Sequence, residues 1–69
     1  MTYTVVYEEG ETSWGAYVPD LPGCVAVGAT RQEVETLIRE AVSAYLDDLD
    51  QTGQPRPRPG GAVGLIDVA

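Results

Sequence analysis

The sequence predicts an α+β fold: a small two-layer domain of order β-β-β-α-β, with one helix on one face of a small mixed sheet. Three observations carry this expectation. The first third of the chain is rich in β-branched and aromatic residues broken by turn formers. One long stretch with helical spacing follows, from about Arg31 to Gln51. A Pro-rich segment and a last apolar, β-branched run then return the chain to the sheet. At 69 residues the chain reads as a single domain, 1–69.

Each element has a local reason. Thr2 to Glu8 alternates, with Tyr3, Val5 and Tyr7 on one face and Thr4, Val6 and Glu8 on the other. The polar run Glu9-Gly10-Glu11-Thr12-Ser13 suits a hairpin loop. Trp14 to Val18 forms a second strand, which Pro19 ends because proline cannot donate to a ladder. Leu21-Pro22-Gly23-Cys24 has the signature of a type II turn, with Pro22 presetting φ and Gly23 supplying φ > 0. Cys24 to Gly28 is a short third strand. Thr30 and Glu33 have capping-box spacing, and apolar residues follow at Val34, Leu37, Ile38, Ala41, Val42, Tyr45, Leu46 and Leu49. Gly53 is a natural helix-ending residue. Residues 54–61 read as a Pro-rich connector and 62–68 as a final strand.

Charge and composition narrow the function. Four Arg, no Lys and eleven acidic residues give a net charge of −7. That balance argues against binding nucleic acid or an anionic membrane, both of which need clustered cations. His is absent and Cys24 stands alone, so His-based triads, His/Cys zinc sites and disulfide frameworks are excluded, and no cofactor or metal is expected. Neither a signal peptide nor an apolar run long enough to span a bilayer is present, which predicts a cytoplasmic protein. So small a chain makes a marginal core, and its strands are apolar on both faces where one helix covers one; a homodimer or higher homo-oligomer is expected.

Few side chains suggest chemistry. Cys24 has no base to activate it and reads as a small buried hydrophobe. A magnesium nuclease would need converging carboxylates; Glu8 and Asp67 are the pair that neighbouring strands could bring together, but no motif fixes them. Glu33, Glu40 and Asp47 are spaced by seven on one helix stripe, and Asp48 and Asp50 crowd the helix end with Asp47. These five residues are the candidate surface for a basic protein partner. From charge alone a solvated, solubilising helix face is the favoured account of them, and Glu35 with Arg39 reads as a surface pair.

The run Tyr17-Val18-Pro19-Asp20-Leu21-Pro22-Gly23-Cys24, then Gly28-Ala29-Thr30 and the helix segment Glu33 to Ala41, resembles the HicB-like antitoxin family over roughly residues 3–50. The resemblance implies a partial ribonuclease H-like fold with a central first strand. It implies a partner as well: a HicA-like toxin, a small basic ribonuclease that the antitoxin neutralises. Within the motif, Pro19, Asp20, Leu21, Pro22, Gly23, Cys24, Gly28 and Thr30 look structural, building turns and a cap. Many members carry a C-terminal DNA-binding domain; this sequence ends at Ala69, so direct DNA binding is not expected. The expected role is therefore that of a non-enzymatic antitoxin. Its competitors are a metal-dependent nuclease of ribonuclease H-like fold, a DNA-binding repressor and an oligomeric interaction module without a toxin.

Overall fold

The computed structural model describes residues 2–60 and Ile66. Three strands, β1 (Val6–Glu9), β2 (Trp14–Tyr17) and β3 (Val25–Gly28), precede one helix, α1 (Arg31–Gln51). The strands form an antiparallel sheet in the order β1-β2-β3. The expected fourth strand, 62–68, and the carboxylate of Asp67 lie outside the described residues. Among the described residues β1 pairs with β2 alone.

β1 begins at Val6, four residues later than expected from its composition. Val6 pairs with Tyr17, and continuing that register sets Thr4 opposite Pro19. Proline has no N–H to give, so the ladder stops there. The hairpin between β1 and β2 closes with the Gly10 N–H donating to the Ser13 carbonyl at 2.8 Å.

Between β2 and β3 the chain makes two successive turns, each with proline in its second position. The Leu21 N–H donates to the Val18 carbonyl and the Cys24 N–H to the Leu21 carbonyl, both at 3.0 Å. Gly23 sits at φ +83°, the left-handed conformation that a type II turn requires at its third position. This double turn folds Leu21 inward until no part of it is exposed. The motif thus makes a hydrophobic plug as well as a reversal.

The core is Ala16, Val18, Leu21, Cys24, Val34 and Ile38, ringed by Tyr3, Val5, Tyr7, Trp14, Ala26, Ala41, Val42, Tyr45 and Leu46. The sheet face bearing Tyr7, Trp14, Ala16 and Ala26 meets α1. The opposite face carries Tyr17, Val25 and Val27, which remain 40, 61 and 68% exposed. Two apolar sheet faces, with a single helix to cover them, are thus a feature of the described fold.

Candidate functional site

The helix start is built as its sequence requires. Thr30 is extended, at φ −131° and ψ 159°, and its hydroxyl accepts from the Glu33 N–H at 3.1 Å. Glu33 reaches back, but to the Ala29 N–H at 3.2 Å rather than to that of the cap residue. A Cβ on Gly28 would lie 3.0 Å from Val34 Cγ2 and 3.1 Å from Glu33 Cδ, so a side chain at this strand end would press on the start of the helix. Glu33 is therefore committed to the cap, although it begins the acidic stripe.

The helix end is closed as tightly. The Gly53 N–H donates to Asp50 and the Gln54 N–H to Leu49, with Gly53 at φ +75°: a Schellman arrangement. The last turn holds no basic residue of its own. Arg56 compensates from beyond the turn, its Nε and Nη2 contacting the two Asp50 carboxylate oxygens at 3.1 and 2.5 Å. Arg56 holds the Asp50 carboxyl below its ordinary range, chiefly through this hydrogen bonding and then through its charge. Tyr3 ties the same segment down by donating its hydroxyl to the Pro57 carbonyl at 2.6 Å. The connector thus straps the helix end to the start of the chain.

Of the five candidate acidic residues, Glu33 and Asp50 have these structural engagements. Glu40, Asp47 and Asp48 lie exposed on α1; of the three, Asp47 lies near enough to Arg56 to feel its charge. Leu37, partly exposed, lies between Glu33 and Glu40 on the same stripe. The surface is an acidic ridge with an apolar side chain in it.

Glu35 pairs with Arg31 rather than with Arg39, its carboxylate accepting from Nε at 3.1 Å. The Arg31 guanidinium also lies 4.7 Å from the centre of the Tyr7 ring. Stacking on β1 holds Arg31 where Glu35 can reach it, which is why this pair wins over the expected one. Arg56, Tyr3 and Arg31 were the polar anchors that residue patterns did not reveal. The one available signal was the connector itself, since extended proline-rich backbone leaves its carbonyls free for a donor such as Tyr3.

The other motif residues face inward or build turns. Cys24 is buried, and burial pushes its thiol up, away from the reactive thiolate. Pro19, Pro22 and Gly23 shape the double turn. Asp20 has one carboxylate oxygen shielded from solvent, with no hydrogen-bond partner among the described residues. Among the described residues no three Asp, Glu or Cys side chains converge to hold a metal ion. No helix among them is long and apolar enough to cross a membrane.

A family model described as HicB-like antitoxin of bacterial toxin–antitoxin system matches residues 3–66. The chain is 37% identical over 59 residues to a UPF0150 protein of Thermoplasma acidophilum, covering 84% of this chain and 86% of that one. It is 40% identical over 50 residues to a UPF0150 protein of Helicobacter pylori, covering 72% and 69%. To Antitoxin HicB 2 of Photorhabdus laumondii it is 30% identical over 59 residues, 86% of this chain and 42% of that protein. No solved structure gives a significant match.

Proposed function

Because the chain belongs to the HicB-like antitoxin family of bacterial toxin–antitoxin systems, we propose that it binds and neutralises a small basic ribonuclease toxin of the HicA type in the cytoplasm. It acts by occupying the toxin, with no turnover of its own. The observation that carries this reading is the family match over residues 3–66. The proposed contact surface is the acidic ridge of α1, centred on Glu40 and Asp47, flanked by Asp48, with Glu33 and Asp50 adding charge from their structural positions. A toxin that attracts RNA phosphates must present cations, and this ridge offers them the exposed carboxylates of Glu40, Asp47 and Asp48. Leu37 supplies an apolar contact inside a charged rim, the usual anatomy of a protein interface.

The proposal includes self-association, because the exposed Tyr17, Val25 and Val27 leave apolar sheet surface that one helix cannot cover. DNA is not a proposed ligand, since four Arg against eleven acidic residues make a poor match for phosphates.

Calorimetric titration with a small basic ribonuclease of the HicA type tests the reading. A saturable complex that weakens with salt is expected. Absence of binding at low salt removes the antitoxin role for that pair.

A further inference from the structure

The end of α1 collects three carboxylates, Asp47, Asp48 and Asp50, and its last turn holds no basic residue. The carbonyl end of a helix repels anions, so a cation is wanted there. One cation answers. Arg56 folds back from beyond Gly53 and lays its planar guanidinium along the Asp50 carboxylate, Nε to one oxygen and Nη2 to the other. Asp47, three residues before Asp50 on the same face of the helix, feels the same charge. The end of the ridge is therefore a carboxylate site with a guanidinium already seated in it, one positive charge against three negative ones.

The seated guanidinium is exchangeable. The paired side chains of Arg56 and Asp50 remain 39 and 49% exposed, so water screens the pair and reaches both halves. The connector does not depend on this pair alone. It is tied one residue further on, where Tyr3 donates to the Pro57 carbonyl, and the helix end is closed by the backbone bonds of Gly53 and Gln54. Arg56 therefore leaves Asp50 by rotating its side chain, with the fold around it unchanged.

We infer that Asp50 and Asp47 form a binding site for an arginine of the basic partner, and that Arg56 is its internal competitor, seated there in the free chain and displaced on binding. The inference rests on the reading that the acidic ridge of α1 takes a basic protein, and it names the partner's group and the place where that group lands. Arginine is the group because a carboxylate that accepts one two-pronged guanidinium has the geometry to accept another, whereas a lysine ammonium offers a point charge. The exchange swaps one ion pair at Asp50 for another. Arg56 thus subtracts from the partner's affinity what its own pair contributes, and removing it strengthens binding.

Hexaarginine, titrated at low salt into the full isotope-labelled chain and followed by NMR, tests this without any toxin. In the wild type the Arg56 Nε–H signal should move toward its solvent-exposed position as the amides of residues 47–50 shift. Arg56→Gln should bind the peptide about two- to fivefold tighter than Arg58→Gln, the range that an exposed ion pair spans. The two variants carry the same net charge, and Arg58 is exposed on the same connector in no described ion pair, so overall attraction cancels in that comparison. In an Asp50→Asn background the difference between them should disappear. Equal affinities for the two variants, a wild-type Arg56 signal that stays fixed while the peptide binds, no peptide binding, or hexalysine binding as tightly as hexaarginine would each overturn the site. The antitoxin role is measured separately, by RNA cleavage. A chain that silences a HicA-type ribonuclease but fails the hexaarginine test keeps that role and loses this site.

Discussion

Thr30 makes one hydrogen bond, yet it fixes where the helix begins. Its hydroxyl satisfies the Glu33 N–H, one of the orphan donors of the first turn. Thr30→Ala should cost about 0.5–2 kcal/mol, the usual range for such a cap, in denaturant unfolding. Gly28→Ala should also destabilise, by about 1 kcal/mol or more, because an added Cβ would press on fully buried Val34 and on the Glu33 side chain that closes the cap. The same unfolding experiment checks it, and a neutral Gly28→Ala would mean that Val34 yields. At the other end, Asp50 titrates below an ordinary carboxyl because Arg56 holds it. A depressed native value means the strap's contribution is complete above the unfolded Asp value of about 3.9 and is lost as pH falls through the native one. A carboxyl-detected NMR titration should show Asp50 returning toward the ordinary value in Arg56→Ala.

At the scale of elements, what was legible in the sequence depended on how local the cause is. The helix bounds Arg31–Gln51 were readable because each end carries its own signal, Thr30 with Glu33 at the start and Gly53 at the finish. The turn at Leu21–Cys24 was readable for the same reason. The start of β1 was not, since the residue that stops it is Pro19 on the neighbouring strand. Nor was the Asp50–Arg56 pair, which forms only because the Gly53 turn swings the connector back along the helix. Within the double turn, Leu21 is fully buried, so Leu21→Ala should cost about 2–5 kcal/mol, the range for emptying such a site, again by denaturant unfolding. The acidic ridge was legible as a spacing, but not that Glu33 and Asp50 serve the helix ends. Glu40→Gln with Asp47→Asn and Asp48→Asn should therefore slow toxin association and flatten its salt dependence, with little change in dissociation, in stopped-flow mixing. Unchanged association would discard the ridge and leave the antitoxin role standing.

For the molecule as a whole, three surfaces have separate physical characters. The inner sheet face and α1 share the core, the outer face is apolar at Tyr17, Val25 and Val27 with Glu8 beside them, and the helix ridge is acidic. The fold class and the family were both readable from one ordered run of turn, strand and cap residues, because those residues shape the backbone itself. The partner surface was less readable, since carboxylates on a helix serve solubility as readily as recognition. The central claim is that the chain disables a ribonuclease by occupying it. Its most direct test is RNA cleavage by a HicA-type toxin, measured as the chain is titrated in at low salt. Cleavage should fall linearly to zero at a fixed stoichiometric ratio and recover as salt is raised. Cleavage that continues undiminished at a large molar excess of the folded chain would contradict the account.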